Sequence, residues 1–501
     1  MNNLMVKKSI NISKYLFYFF FFFNIDINAQ LIKNQSIEFD LPIGISRPEY
    51  SIFPIKSGGF ILQERMEGSF TKKEIIWLTK KYSNNMELLW TNEIAIPYDL
   101  DFTMDCLTKN ALYLNFKLNN STTIKLLRID IEKGDIDWIE GDLIGIQEIF
   151  QMKIVENSAF YYGKFQGRAV VMGFSFFDKT VKALNGLYSN HTEVVEMDSD
   201  EEKKELHIYT KNRYRGQCQL QLRIYDWEGN VISTTTFENE NRKIAFNGRL
   251  NNLQNNESLM IGNYARYCDN FSQGIYVRKL NDNVVEKSKY IDFSEFENFF
   301  NYLNPKRQKK VKDKLSKRKE AGKAIKFNYS MLVHKLFNYN NQLVMVAEIY
   351  YTEARTAGAT SFYMNGRDYN PYNYRFTHTI ICGFDKQGNK LWDNCVSMKS
   401  LSSIYLNEQV QLSQVDNKLI LAYPEAGKIK TQVIEEDKTV RESEVFEVIP
   451  KKESFWDDDS NGGLSAWYNQ NFLFWGFKTL PDSKNPNGKK VFFVNKLTYQ
   501  L

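Results

Sequence analysis

A short turn recurs along this chain at nearly constant spacing, and that repeat limits the fold more than any other feature. It is clearest in Thr379–Val396, where an apolar strand runs into Asp385-Lys386-Gln387-Gly388 and a second strand runs back. Aspartate at the first corner of such a turn accepts a backbone N–H, and glycine at the fourth tolerates a positive φ. Asp226-Trp227-Glu228-Gly229-Asn230 follows the same pattern. Each turn therefore predicts one β-hairpin.

The spacing of these turns predicts the architecture. Turn centres lie about 46 to 54 residues apart, except for one gap of about 105, and removing one insertion of about 55 residues restores the period. Two more strands precede each hairpin, as in Ile52–Lys56 and Phe60–Arg65. Four short strands in a period of this length are typical of a propeller blade. We therefore predict one all-β propeller, although the length alone suggests about three domains.

The ends of the chain bear on the number of blades. Three strands near the C-terminus lack a fourth: Leu464–Tyr468, Asn471–Thr479 and Lys490–Thr498. Ser36–Leu41, near the other end, is a spare strand. If these segments share one blade, the ring closes and no sheet edge is left exposed. This predicts eight four-stranded blades; seven remains an alternative if two short units merge.

Residues 1–29 are typical of a signal peptide. A basic start (Lys7, Lys8, Lys14) precedes nine apolar residues, Tyr15–Phe23, and a small residue, Ala29, ends the segment. Nine residues are too few to span a bilayer, and no later stretch is suitable. We therefore expect residues 30–501 to be an exported, periplasmic or extracellular propeller without a transmembrane segment. We also expect it to be a monomer.

The five cysteines are an odd number for an exported chain: Cys106, Cys218, Cys268, Cys382 and Cys395. Pairing Asp385 with Asn389 places Cys382 and Cys395 on opposite sides of their hairpin, which argues against a bridge between them. We predict that the cysteines are small buried hydrophobic residues, and disulfides stay the alternative.

The turns carry a resemblance. The Asp385-x-x-Gly388-Asn389 turn, with a tryptophan four residues after Gly134 and Gly388, resembles the pyrroloquinoline-quinone-type propeller repeat. That class includes quinoprotein dehydrogenases and non-enzymatic scaffolds of the outer-membrane assembly machinery. Ile381–Asp385 together with a lysine-rich insertion also resembles an uncharacterised family of exported bacterial proteins. The second resemblance implies no activity.

The first insertion, residues 293–326, is predicted to be a helical hairpin. Ser294 and Glu297 fit a capping box, and Phe296, Phe299, Phe300 and Leu303 follow at helical spacing. Asn304-Pro305 begins a second helix, and Gly322 ends it.

The second helix of this insertion concentrates positive charge. The whole chain has a net charge of +5, whereas residues 306–323 carry +8 and the chain from residue 30 without them carries −5. A solvated helix is one interpretation. The other is a docking surface for an anionic partner, a protein or an acidic glycan of the cell envelope rather than nucleic acid. Its residues would be Lys306, Arg307, Lys309, Lys310, Lys312, Lys314, Lys317 and Arg318.

Loops rich in Tyr and Arg join the second and third strands of several blades. The longest, residues 352–375, is a second insertion, and shorter loops cover residues 211–216 and 263–267. Tyrosine and arginine are enriched at binding hot spots, and tyrosine rings can also stack on sugars. The alternative is that the rings pack on their own blades. The candidate ligand-binding residues are Tyr214, Arg215, Tyr264, Arg266, Tyr267, Arg355, Tyr363, Tyr369, Tyr372 and Tyr374.

Asp457-Asp458-Asp459-Ser460-Asn461-Gly462 matches the first half of a calcium loop. Position twelve is Tyr468 instead of a bidentate glutamate, so we expect either an acidic turn without a cofactor or a weak calcium site. Its ligands would be Asp457, Asp459 and Asn461.

Propeller topology brings these features together. Connections between second and third strands lie on the same face as links between blades, and the tight hairpins lie on the other face. We therefore predict a binding or scaffold module that uses the face with the insertions. The alternative is a glycan-active enzyme with its site at the channel mouth. No catalytic residue can be assigned; Glu348 and His378, on adjacent predicted strands, are the only candidates, and a structural pair is the competing interpretation.

Overall fold

The computed structural model describes most of the chain from residue 30 onward. The described ranges are 30–41, 49–56, 58–66, 74–119, 121–146, 148–253, 257–281, 284–323, 325–354, 372–425, 428–449, 454–456, 462–482 and 485–500. The predicted signal peptide, residues 1–29, lies outside them.

The described strands begin with β1, Gln30–Asp40. Blades 1 to 4 follow: β2 Glu49–Ile55, β3 Gly59–Met66, β4 Glu74–Tyr82, β5 Leu88–Pro97; β6 Leu100–Leu107, β7 Ala111–Leu118, β8 Thr123–Asp130, β9 Ile136–Asp142; β10 Glu148–Val155, β11 Ser158–Phe165, β12 Arg168–Ser175, β13 Val181–Ala183; β14 Thr192–Asp200, β15 Glu205–Tyr214, β16 Gln217–Asp226, β17 Val231–Phe237.

Blades 5 to 8 complete the ring: β18 Ile244–Ala245, β19 Arg249–Asn252, β20 Ser258–Ala265, β21 Ser272–Asn281, β22 Val284–Val285, β23 Lys289–Asp292; β24 Ser330–Val333, β25 Phe337–Tyr339, β26 Gln342–Ala354, β27 Tyr372–Phe384, β28 Lys390–Ser403; β29 Gln411–Val415, β30 Lys418–Glu425, β31 Lys428–Glu435, β32 Lys438–Phe446; β33 Ser454–Trp456, β34 Gly463–Ala466, β35 Asn471–Asp482, β36 Asn485–Gln500.

Across the described residues these strands form eight antiparallel sheets, one per blade, which confirms the eight-bladed prediction. In blades 5, 6 and 8 some strand positions are filled by two short strands in series. The ring is closed by β1, which pairs with β36 from Gln30↔Gln500 to Asp40↔Val491. The first strand thus supplies the outermost strand of the last blade, as predicted.

The core lies between the blades. Eight clusters of buried hydrophobic residues each fill the space between two neighbouring blades. Strand alternation produces this division. In β30, Leu419 and Leu421 face blade 6, whereas Ile420 and Ala422 face blade 8. Each blade is therefore buried on both sides and depends on its two neighbours.

The recurrent turn forms as predicted. Asp385 Oδ1 accepts hydrogen bonds from the backbone N–H groups of Gln387 and Asn389 at 2.9 and 2.8 Å, and Gly388 has φ +74°. Its glycine has a second role. A Cβ on Gly388 would lie 2.7 Å from Val277 of blade 5, and one on Gly229 would lie 2.6 Å from Leu184 of blade 3. These turns are pressed against the preceding blade.

The insertion between blades 5 and 6 is a helical hairpin only in part. Residues 293–295 form a single 3-10 turn, whose capping box uses Asp292 and Glu295 rather than Ser294 and Glu297. The next residues, to 303, form turns and bends. The helix α1, Pro305–Glu320, begins after Asn304 and ends just before Gly322 (φ +60°), as predicted.

The first half of this insertion belongs to the core. Phe293, Phe296, Phe299 and Phe300 are at most 4% exposed and join the cluster between blades 5 and 6. Helical spacing of aromatic residues was misleading here because successive turns can also direct every third or fourth side chain inward. We call these four residues the aromatic anchor. We expect the chain without residues 293–326 to lose cooperative unfolding.

A β-bulge changes the predicted register of the turn hairpin. Phe384 pairs with Lys390 but Gly383 pairs with Trp392, so Leu391 is the extra residue. Cys382 is consequently opposite Asp393, and Cys395 is opposite Ile380. The two cysteines face the same side, contrary to the prediction, yet both are free thiols.

Among the described residues, no helix combines the length and apolar character that crossing a membrane requires.

Replacing the turn glycine tests the packing between blades. Gly388→Ala should cost about 1–2 kcal/mol for the left-handed backbone and about 1–3 kcal/mol more for crowding against Val277. Gly216→Ala is the matched control, because Gly216 has φ +79° and nothing within 4 Å of the added carbon. Urea unfolding of both variants isolates the crowding contribution. Equal losses would contradict the docking of this turn on blade 5.

A second prediction separates the aromatic anchor from α1. Phe299→Ala should lower the free energy of unfolding by about 3–5 kcal/mol, since the ring is fully buried. Lys310→Ala, on a helix without buried residues, should change it by no more than about 0.5 kcal/mol. Denaturant unfolding measures both, and a small effect of Phe299→Ala would show that the anchor is not part of the core.

Candidate functional site

The face that carries the blade-to-blade links and the connections between second and third strands contains the unusual residues; we call it the insertion face. Its most prominent element is α1, which lies in the link from blade 5 to blade 6. Asn304 Oδ1 accepts a hydrogen bond from Arg307 N at 2.9 Å, and Pro305 occupies the first turn. These local groups determine where the helix begins.

The aromatic anchor holds the segment that precedes α1. Phe293 and Phe299 stack with 4.3 Å between their ring centroids. Buried Asp393 of blade 6 accepts hydrogen bonds from the N–H groups of Glu297 and Asn298 at 3.1 and 2.8 Å. Asn298 Nδ2 donates in turn to the Asp393 carbonyl at 2.6 Å. The base of the helix is therefore attached to the propeller by both apolar burial and charge-assisted hydrogen bonds.

The helix contributes little to the core. Val311 and Leu315 pack against the cluster between blades 5 and 6, but no residue of α1 is buried. Lys312 Nζ donates to the Glu297 carbonyl at 3.2 Å. All eight cations predicted to bind an anionic partner are exposed: Lys306, Arg307, Lys309, Lys310, Lys312, Lys314, Lys317 and Arg318.

Six of these cations share one side of the helix. With 3.6 residues per turn, they fall within an arc of about 120° that contains no acidic residue and extends about 18 Å along the axis. We call this set the basic stripe: Lys306, Arg307, Lys310, Lys314, Lys317 and Arg318. Like charges four residues apart destabilise a helix in water. A bound anion would relieve that repulsion.

The predicted Tyr/Arg loops differ in structure and in the exposure of their side chains. Residues 211–216 are not a loop, because β15 and β16 extend to a two-residue turn at Arg215 (φ +48°) and Gly216. Arg215 is exposed, and the side chain of Tyr214 is outside the description. Tyr264 is a core residue, 2% exposed, with its hydroxyl 3.4 Å from Asp292 Oδ2. The prediction that Tyr264 contacts a ligand is not supported by this position.

The loop after Tyr264 does present an aromatic surface. Tyr267 is 59% exposed and Phe271 40%. Lys326, shortly after α1, places Nζ 5.6 Å from the centroid of the Tyr267 ring. Arg266 is half-buried. An exposed ring and a cation thus lie side by side on the insertion face.

The long loop of blade 6 is described only at its ends. Tyr372 and Tyr374 belong to β27, with Tyr374 opposite Thr352 in β26. The Tyr374 ring packs edge-on against Tyr350, with centroids 5.7 Å apart. The side chain of Tyr372 is outside the description, as are residues Arg355, Tyr363 and Tyr369. The candidate calcium ligands Asp457, Asp459 and Asn461 also lie outside the described residues.

A disulfide that the sequence interpretation missed joins two blades on this face. Cys218 of β16 is bonded to Cys268 in the loop between β20 and β21, with 5.5 Å between the Cα atoms. Arg213 Nη2 donates to the Cys268 carbonyl at 3.2 Å. The two cysteines are 50 residues apart, about one repeat. Because one repeat brings equivalent levels of neighbouring blades together, that spacing was the available signal.

The candidate catalytic pair does not form. Glu348 pairs with Thr379 and His378 pairs with Ile349, so the two side chains point to opposite faces of blade 6. Glu348 instead meets His334: Oε1 accepts a hydrogen bond from His334 Nε2 at 2.8 Å. The same oxygen accepts from the backbone N–H groups of Gln409 and Val410, each at 2.8 Å. Fully buried Glu348 therefore ties the link to blade 7 onto blade 6.

This carboxylate is part of a polar row along the inner strands. Arg249 of blade 5 donates to the Val333 carbonyl of blade 6 through Nε and Nη2 at 3.1 and 3.0 Å, and it also pairs with Glu196 of blade 4. Burial lowers the pKa of Arg249 to about 10, although Glu408 opposes this effect. Arg249 and Glu348 Oε1 thus both join neighbouring blades, whereas Glu348 Oε2 is buried without a hydrogen-bond partner among the described residues.

Two of the three buried histidines, His334 and His378, have pKa values shifted in opposite directions. Burial lowers the pKa of His334, but its hydrogen bond to Glu348 and the charges of Glu408 and Glu348 outweigh burial and the repulsion of Arg249, so the pKa is raised. Burial alone lowers the pKa of His378 to about 3. Thr377 Oγ1 lies 3.2 Å from the Ile349 carbonyl and 2.9 Å from His378 Nδ1, so this hydroxyl connects the ring to β26. The ring stacks on Tyr302, with centroids 3.9 Å apart.

Among the described residues, no group of three or more His, Cys, Asp or Glu side chains is arranged to hold a metal ion.

Comparison with known proteins finds only distant structural similarity. No family model matches the chain, and no curated protein matches its sequence. Among solved structures, it is similar to the polysaccharide lyase Uly1 (9% identity, 93% of this chain, 100% of that chain, TM-score 0.37). It is also similar to prolyl oligopeptidase B from Galerina marginata (8%, 86%, 56%, 0.39) and to one of two prolyl endopeptidases (8%, 80%, 50%, 0.37).

The chain spans only about half the length of the two peptidases. At these identities and TM-scores, the neighbours say nothing about its activity.

The histidines generate a prediction about pH. Because the folded chain keeps His378 neutral, protonation at acid pH favours the unfolded chain. The contribution of His378 to the free energy of unfolding is therefore complete above pH 6.5 and about 1.4 kcal/mol smaller at pH 5.5. His334, with a raised pKa, stabilises the fold most below pH 6.5 and loses this contribution as pH rises through its folded pKa. His378→Phe should therefore flatten the acid side of the stability profile, whereas His334→Gln should flatten the side above pH 6.5, because the loss of stability on deprotonation of His334 disappears. Melting temperatures between pH 5 and 8.5 measure both; profiles parallel to wild type would contradict the assignments.

Proposed function

We propose that this protein is an exported binding or scaffold module that captures an anionic partner of the cell envelope, a protein or an acidic glycan, on its insertion face. The observation that carries the proposal is the basic stripe. Six cations lie along one side of α1. No residue of this helix is buried, and the aromatic anchor that precedes it attaches it to the propeller. Export is supported by the leader-like residues 1–29 and by the Cys218–Cys268 disulfide, since such bonds are rare in reducing compartments.

Electrostatics supports the same assignment. Residues 306–323 carry +8, whereas the rest of the chain from residue 30 carries −5. A cationic projection on an acidic body directs an anionic partner to one place and disfavours contact elsewhere. The rigid eight-bladed ring would act as the scaffold, with the partner held at the link between blades 5 and 6.

Neutralising the stripe tests this proposal. A variant with Lys306, Lys310, Lys314 and Lys317 all changed to Gln should retain at least about tenfold less material from envelope extract, because each exposed ion pair contributes a fraction of a kcal/mol. The measurement is the mass bound to immobilised protein, followed by surface plasmon resonance. The melting temperature should stay within a few degrees of wild type.

The matched control changes the same number of lysines on the opposite face. Lys133, Lys179, Lys386 and Lys438 are exposed in or next to the tight hairpins between third and fourth strands. Changing these four to Gln should leave retention unaltered. If both variants retain equal amounts, the binding surface is not the basic stripe and the proposal fails.

A further inference from the structure

The basic stripe is built for an extended ligand. Lys306, Lys310, Lys314 and Lys317 place a cation on nearly every turn of α1, with about 5.4 Å between turns. A small anion would reach one or two of these groups, whereas a polyanion lying along the helix would reach all of them over about 18 Å. Four of the six cations are lysines, which act as hydrated point charges. Such an arrangement suits a polymer with regularly distributed charge.

The helix is poorly suited to a lipid surface. Helices that bind membranes from one side insert an exposed apolar face between the headgroups. The apolar residues of α1 that contact the core, Val311 and Leu315, are directed at the propeller. None of the exposed large hydrophobic side chains of the described residues belongs to α1. A ligand in water is therefore favoured over a bilayer.

The exposed aromatic side chains on the same insertion face indicate sugar. Tyr267 is 59% exposed, Phe271 lies four residues away, and Lys326 Nζ is 5.6 Å from the centroid of the Tyr267 ring. An exposed tyrosine presents an apolar face that a pyranose ring can cover, with a polar edge left in water. The cation beside it can pair with a carboxylate on the same sugar. Polyphosphate has nothing to stack on the ring. Nucleic acid has bases that stack, but an oxidising compartment, indicated by the disulfide, makes a glycan the better match.

Resting on the proposed function, we infer that the ligand is a linear acidic polysaccharide of the polyuronate type. Its carboxylates lie along the basic stripe, and one of its rings stacks on Tyr267. Attraction between the ligand's carboxylates and the basic stripe determines most of the affinity. The contact with the Tyr267 ring discriminates sugar chains from other polyanions.

Polygalacturonate is the probe that tests this inference, with dextran, inorganic polyphosphate and phosphatidylglycerol vesicles as comparisons, each titrated by calorimetry against the full chain. Wild type should bind polygalacturonate and not dextran, and the logarithm of the binding constant should fall linearly with the logarithm of the salt concentration. The four-lysine stripe variant should bind at least about tenfold more weakly. Tyr267→Ala should weaken polygalacturonate binding about fivefold or more. This is the lower end of the effect of removing an aromatic side chain that stacks on a base of a single-stranded nucleic acid. Tyr267→Phe should change it by less than about twofold.

Other outcomes overturn the inference. Absence of polygalacturonate binding would exclude this ligand class. Equal binding of polyphosphate or vesicles, with no effect of Tyr267→Ala on polygalacturonate, would show a general anion surface instead. In either case, continued loss of envelope retention by the stripe variant would leave the proposed binding function standing. If the stripe variant retains both envelope material and polygalacturonate, the inference and the proposed function fail together.

Discussion

Burial of each blade against its two neighbours is the constraint on which this molecule depends. One hydrophobic cluster fills each of the eight spaces between blades, and the turn glycines bring hairpins so close to the preceding blade that a Cβ would not fit. An open ring would expose the apolar faces of blades 1 and 8, because the cluster between them would lose one of its two sides. Pairing of β1 with β36 holds the start of the chain on the last blade and so fastens blades 8 and 1 together.

The same constraint determines where chemistry and binding can occur. Polar groups on the inner strands are used to join blades: Glu348 holds the N–H groups of Gln409 and Val410, and Arg249 holds the Val333 carbonyl. Three hydrogen bonds to one carboxylate oxygen give Glu348 a structural role, in which it holds the link to blade 7 on blade 6. Loops and links of the insertion face can vary where they do not contribute such hydrogen bonds.

The link between blades 5 and 6 shows how a solvated helix is attached to such a ring. Its two halves have opposite physical characters. The aromatic anchor buries four phenylalanines and fastens two backbone N–H groups to Asp393, whereas α1 is held by its own N-cap and by shallow contacts of Val311 and Leu315. Apolar burial of the aromatic anchor therefore positions a strongly charged helix that itself buries no residue, and like charges four residues apart repel each other along its basic stripe.

Local signals were enough to predict part of this structure. Turn chemistry at Asp385–Gly388, the spacing of hairpins, and Asn304-Pro305 before α1 act over a few residues, so eight blades and the start of the helix could be derived from the sequence. Other features depend on contacts that no local pattern specifies. The Cys218–Cys268 bond and the burial of Tyr264 and of the aromatic anchor exist only once neighbouring blades meet, and the His334–Glu348 pair forms only once the strands of blade 6 align. A pattern of aromatic residues at every third or fourth position fits both a helix and a series of turns facing a core. Only packing against blade 6 decides between them.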